Sequence, residues 1–209
     1  MKETYTLKAM TTVFIAMEWT IPVQTLDNSK VRISGLHRSQ KPMAALSYAD
    51  GELQIPALSI LLPSLTIKSY DAETGRLALS LQGAQSILTK LSALQALMLN
   101  TSYSSYRTWF PGERERTHED ISSSFQPLIH NNCLYLYCPL STSGSFNEIQ
   151  IYSGGQWSRG TISSAILSTG KQVRIAVRLQ GISFHQHPIT KALTGKSRVQ
   201  HRILAIYAD

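Results

Sequence analysis

Toward the carboxyl end of the chain, apolar and polar residues alternate with a period of two. In "GKQVRIAVRLQGISF", residues 170–184, Val173, Ile175, Val177 and Leu179 fall on one side and Arg174, Ala176, Arg178 and Gln180 on the other. Successive side chains of a strand point to opposite faces, so the segment predicts a half-buried strand whose outer face carries two arginines and no acid. The closing segment "SRVQHRILAIY" obeys the same rule. Lys196, Arg198, Gln200 and Arg202 alternate with Ser197, Val199, His201 and Ile203, and the pattern then turns wholly apolar, as in a strand running into a core.

The first eighty residues break into short β-type segments: "TTVFIAMEWTI", "KVRISGL", "AALSYADGELQI" and "GRLALSL". Asp50-Gly51 divides the third into two alternating stretches, a hairpin-turn signature, and "YDAETGRLAL" predicts another hairpin whose longer loop ends at Gly75. Pro56 and Pro63 bracket "ALSILL"; since proline cannot donate to a ladder, an edge strand or connector is predicted there. From Ala84 to Asn100 the period changes, and Ile87, Leu88, Leu91, Leu94 and Met98 recur at helical spacing. One substantial helix is predicted over 84–100, with its leucines in the core and Asn100 as its stop. The polar, charge-alternating stretch that follows predicts a long surface loop over 102–124, with a turn at Pro111-Gly112 and a short helix near 119–123, suited to a lid or an arm. Beyond it, "NCLYLYCPL", "NEIQIYSG" and the two segments described first predict four strands; "GGQWSRGTISSAILSTG" reads as a turn followed by a short helix.

Composition agrees with a mainly β protein. A chain of 209 residues with 43% apolar content supports one good hydrophobic core, and 16% charged residues imply a polar, weakly charged surface. A single domain over 1–209 is expected, with β-hairpins and the helix in 1–100 and the remaining strands in 125–207. The formal charge of +7 is unevenly placed. Bases and acids cancel through residue 149, whereas from Gln150 onward Arg159, Lys171, Arg174, Arg178, Lys191, Lys196, Arg198 and Arg202 face only Asp209. Such asymmetry points to a polyanionic partner, nucleic acid before anionic membrane. Cys133 and Cys138 stand five positions apart, so on a strand they point to opposite faces and stay reduced. With no signal-peptide pattern in "MKETYTLKAM" and no long apolar run, an intracellular protein without a membrane partner is expected.

Catalytic and metal chemistry find little support in the residues. His185 and His187 alternate as metal ligands on a strand do, and His201, His130 or Cys133 could join them, but Pro188 suits a turn and no Cys-x-x-Cys or His-Glu-x-x-His accompanies them. Structural or surface histidines are the preferred reading. Glu113, Glu115, Glu119 and Asp120 are interleaved with Arg114, Arg116 and His118, as in a solvated charge network. No nucleophile elbow or phosphate-cradling loop occurs, so neither an enzymatic activity nor a cofactor or metal is expected.

Binding chemistry is better represented. Two strands with alternating bases would, if paired, form a basic tract, and Trp157, Tyr152, Phe184 and Tyr137 could supply flat surfaces beside it. Cations that follow phosphates and rings that stack on bases are how many proteins hold single strands. The bland alternative makes Arg174 and Arg178 solvated and Trp157 a core anchor. The order "LYLYCPL", "NEIQIYSGGQW", "STGKQVRIAVRLQGISF" and "GKSRVQHRILAIY" resembles the single-stranded-DNA-binding proteins of large DNA viruses and related mobile elements, with Gly170, Lys171, Val173, Gly181, Ile182, Phe184 and Gly195 as the matching residues over about 125–207. That resemblance implies an OB-like barrel of antiparallel strands and a single-stranded DNA partner. Lys171, Arg174, Arg178, Lys196, Arg198 and Arg202 are then the expected phosphate contacts, and Trp157, Tyr152 and Phe184 the stacking candidates. A structural, coat-type β-sandwich subunit and a basic protein-interaction domain are the competing expectations, and a homo-oligomer is compatible with either.

Overall fold

The strand periodicities read from the sequence recur in the computed structural model, which describes residues 20–39, 41–145, 148–190 and 193–208. Seven strands open it: β1 (Thr20–Pro22), β2 (Val31–His37), β3 (Met43–Asp50), β4 (Leu53–Ile55), β5 (Leu58–Leu61), β6 (Leu65–Asp71) and β7 (Arg76–Ser80). Three helices follow, α1 (Gln85–Ser104), α2 (Tyr106–Trp109) and α3 (His118–Ser124). The rest is β8 (Phe125–Gln126), β9 (Ile129–His130), β10 (Cys133–Tyr137), β11 (Gln150–Ser153), β12 (Gln156–Arg159), β13 (Gln172–Gln186) and β14 (Leu193–Ala208). The protein is mainly β with one substantial helix, as the patterning predicts. The strand expected over 11–21 lies outside the described residues except for its last two positions.

The long hairpin of β13 and β14 is the frame. Val173, Ile175, Val177 and Leu179 are at most 1% exposed, so the alternation of β13 translates directly into one core face and one outer face. Its second edge is shared in turn by β6 at Gln172–Val173, β5 at Ala176–Leu179 and β3 at Gly181–Ser183. Register shifts between Ala176 and Val177 and between Leu179 and Gly181 bend the hairpin and increase its twist. At Gly181 a Cβ would sit 2.2 Å from the Ala44 carbonyl oxygen, so only glycine lets β3 approach β13 this closely.

The described strands form one connected sheet that runs β12-β11-β14-β13-β6-β7-β10-β9. It curls far enough that β10 returns against β14, where the Tyr137 backbone N–H donates to His201 Nε2 at 2.8 Å. Antiparallel pairing dominates, but β11 and β8 run parallel to β14, and β1 parallel to β5. Parallel neighbours need crossover connections rather than tight turns, and here long connecting segments supply them.

Helix α1 closes the inside of the curl. Ile87, Leu91, Leu94, Met98 and Ser102 form its buried stripe. Leu91, Leu94 and Met98 meet Ile60, Leu134, Leu136, Val177 and Leu179 around a residual void of only about 10 Å³. A fit this tight makes truncation of Leu94 cost about 2–5 kcal/mol. Gln95 Oε1 accepts the Leu128 and Ile129 N–H groups, which ties the helix to the turn between β8 and β9. No helix among the described residues is long and apolar enough to cross a membrane.

Four local expectations change. The helix passes Asn100, whose side chain meets His118 instead of capping, and continues through Ser102, whose hydroxyl donates to the Met98 carbonyl. The stretch 102–124 is anchored rather than purely polar: Trp109 and Phe110 are 5% exposed, and α3 begins with a Thr117/Asp120 capping box. β5 is interior, held between β1 and β13, because Pro56 and Pro63 flank the strand and remove none of its ladder donors. In 154–170 a hairpin strand, β12, replaces the first part of the expected turn, and turns stand where a short helix was predicted.

Candidate nucleic-acid interface

Pairing register determines which side chains share the outer face of the hairpin. Arg174 lies opposite Tyr207, Tyr207 is paired with Tyr152, and Tyr152 lies opposite Trp157. One row therefore crosses β13, β14, β11 and β12 as Arg–Tyr–Tyr–Trp. The three rings touch: Tyr152 and Trp157 have centroids 5.2 Å apart, and Trp157 meets Tyr207 edge-on at 5.3 Å. Trp157 keeps 38% of its surface exposed, so the cluster is packed on one side and open on the other. The neighbouring row runs Ala176, Ala205, Gln150 and Arg159, small beside the rings and basic at its end.

Further along the hairpin Arg178 stands directly opposite Arg202, and its Nε donates to the Ser59 hydroxyl at 3.2 Å. Like charges across a ladder repel. Burial, and then the Arg178 guanidinium, lower the Arg202 pKa from its ordinary value. Burial raises the Tyr207 phenol while neighbouring Arg174 pulls it the other way. None of the ion pairs among the described residues involves Arg159, Arg174, Arg178, Lys196 or Arg198; those present join Lys30 to Asp27 and Asp50, and Arg107 to Glu115. Four positions apart, Arg174 and Arg178 are spaced by about 13 Å along the strand. Lys196 and Arg198 are exposed and continue the same side of β14.

Of the residues singled out in the sequence, Arg174, Arg178, Arg198, Arg202, Tyr152 and Trp157 come together on this surface, with Lys196 extending it. Lys171 does not join them: it lies in the turn before β13, its N–H bonded to the Ser168 carbonyl and its own carbonyl accepting from Ile67. Phe184 is committed to packing. Its ring meets Trp109 and Phe110 edge-on at 5.6 and 5.0 Å, which takes it out of the outer aromatic group. Tyr207 and Arg159 were not singled out for the face. For Arg159 the Gly154-Gly155 dipeptide, both residues at positive φ, was the available signal, because a two-residue hairpin there places Arg159 opposite Gln150; Tyr207 is placed only by the pairing of β14 with β11 and β13.

No protein-family model, curated protein or solved structure matches this chain.

The histidines occupy separate roles. His185 pairs with the Thr194 hydroxyl, and His187 Nδ1 accepts backbone N–H groups of the turn after it. His201 Nε2 takes the Tyr137 N–H, so Nδ1 carries the proton toward the Val199 carbonyl. Burial lowers its pKa; the bond to Val199 opposes that shift and the Arg198 charge adds to it. His201 is thus a neutral cross-brace. Chemically, the face offers aromatic planes and cations, of which Arg159, Arg174, Arg178 and Arg198 join no carboxylate among the described residues, which suits binding of an anionic, planar-ringed chain.

Proposed function

We propose that the protein is a non-catalytic, sequence-tolerant binder of single-stranded nucleic acid, with DNA favoured, seated on the outer face of β13, β14, β11 and β12. The observation that carries this reading is the Arg174–Tyr207–Tyr152–Trp157 row, which puts a cation and a half-open aromatic cluster within one crossing of the sheet. Bases stacked on Trp157 and its neighbours would each contribute about 1–3 kcal/mol, while arginines follow the phosphates. Neither contact reads a base edge, so the binding is sequence-tolerant. Arg178 adds a second cation on the same side of β13 as Arg174, one that joins no carboxylate among the described residues.

The test is fluorescence anisotropy of a labelled poly-dT oligonucleotide, titrated at two salt concentrations, with duplex DNA and a matched single-stranded RNA as competitors. Tight, salt-sensitive binding that duplex does not compete supports the proposal, and weaker competition by RNA supports the DNA preference. Absence of binding at low salt overturns it. So does unchanged affinity in a folded Arg174→Glu, Arg178→Glu variant.

A further inference from the structure

Beyond the aromatic row the outer surface continues into a trough. Two clefts of about 760 and 680 Å³ meet at Gln126, Arg198 and Gln200. They open beside β14 where its edge has no strand partner among the described residues, between β8 at Ser197–Arg198 and β11 at Ala205–Ala208. Arg198 and Gln200 lie on the same side of β14 as Arg202, so the trough begins where the arginine pair ends.

Its lining is one-sided in charge. Lys41, Lys196 and Arg198 stand in the first cleft with no acid among the described residues that line it. The second cleft adds Arg76 and, among its described lining residues, the one carboxylate Asp71. Asp71 accepts from the Thr74 hydroxyl at 2.7 Å and from the Glu73 and Thr74 N–H groups, which keep it ionised, and it lies opposite Arg76 on β7, so it offsets part of the charge at that end while Lys41, Lys196 and Arg198 keep the rest of the trough basic. At the far end Tyr137 is 58% exposed and lies opposite Arg76, whose guanidinium sits 4.3 Å over the Tyr135 ring. The β13–β12 face and this cleft thus repeat one combination: an open ring, a packed ring and an arginine.

We infer that the trough is a second track for the same polyanionic strand, entered at Arg178 and Arg202 and ending on Tyr137. The inference rests on the single-strand reading above and extends it: the protein holds a longer stretch of chain than the aromatic row can cover, and residues of β7 and β10 take part in binding.

The test compares labelled dT6 and dT20 binding to the wild-type chain and to an Arg76→Gln, Tyr137→Ala variant, with circular dichroism as the fold control. The wild type should gain affinity with length, and the variant should lose at least fivefold on dT20 while its length dependence flattens. Photo-crosslinking of a bromodeoxyuridine-substituted dT20 to the wild-type protein, mapped by mass spectrometry, should label Tyr135 or Tyr137, and it decides the matter even if the variant fails to fold. Wild-type dT20 binding with an unaffected folded variant, or crosslinks confined to Tyr152, Trp157 and Tyr207, overturns the second track alone. Failure of the wild type to bind dT20 at low salt overturns the single-strand reading and this inference with it.

Discussion

Replacing Arg174 and Arg198 together with glutamine isolates the electrostatic part of the proposed interface. Both are exposed residues of the hairpin's outer face, and neither belongs to an ion pair among the described residues. Each substitution should therefore cost the fold no more than about 0.5 kcal/mol. If Arg159, Arg174, Arg178, Lys196, Arg198 and Arg202 each neutralise one phosphate of a single strand, the plot of log affinity against log salt has a slope of about −4. Removing two contacts brings the slope to about −3. Between 50 and 200 mM salt the wild type then loses about 300-fold in affinity and the double variant only about 50-fold. Anisotropy titrations of labelled dT20 at five salt concentrations measure both slopes, and a thermal melt confirms that the variant is folded. An unchanged slope in the folded variant would refute the assignment of these arginines to phosphate. A wild-type slope near zero would refute the electrostatic argument as a whole.

Other consequences are as direct. Trp157→Ala should weaken dT20 binding by about 1–3 kcal/mol with little change in salt slope, since a ring contributes stacking and not charge; equal affinities in the two proteins would remove Trp157 from the site. Gly181→Ala should destabilise the fold by about 3 kcal/mol, because its Cβ has no room beside the Ala44 carbonyl and β3 must withdraw; chemical denaturation reads this, and a neutral result would mean that the close approach is not required. His201 is held neutral, with its folded pKa below the unfolded value of 6.5. Its contribution to stability is fully present above that unfolded value and is lost as pH falls toward the folded one. Melting temperature should therefore fall from pH 7 to pH 5 more steeply in the wild type than in His201→Gln, and parallel curves would exclude His201 as the source.

The contrast between neighbouring residues shows what could be read before any coordinates. Val173 through Leu179 were assigned to inside and outside correctly because a strand's period is local: each side chain's direction follows from its neighbour's. The helix was legible for the same reason, and only its end moved, because Ser102 found a carbonyl one turn back and Asn100 a histidine from α3. The packing of Phe184 escapes the same local logic. Its partners, Trp109 and Phe110, come from a stretch that looked like a solvated loop, and nothing within a strand-length of Phe184 announces them. The interior position of β5 was hidden similarly, since its flanking prolines said where the strand must end and nothing about what lies on either side.

By itself the sequence determined a mainly β chain with one substantial helix, the excess of positive charge after residue 149, and the side of β13 on which its arginines stand. Tertiary structure decided which strands are neighbours, and hence that Arg174, Tyr207, Tyr152 and Trp157 form a row while Lys171 and Phe184 stand apart from it. The physical reason is the range of the interactions. Alternation is set by adjacent backbone dihedrals, whereas register is set by whole strands meeting across the core, by bulges that shift the count by one, and by a parallel pairing that only a long crossover can make.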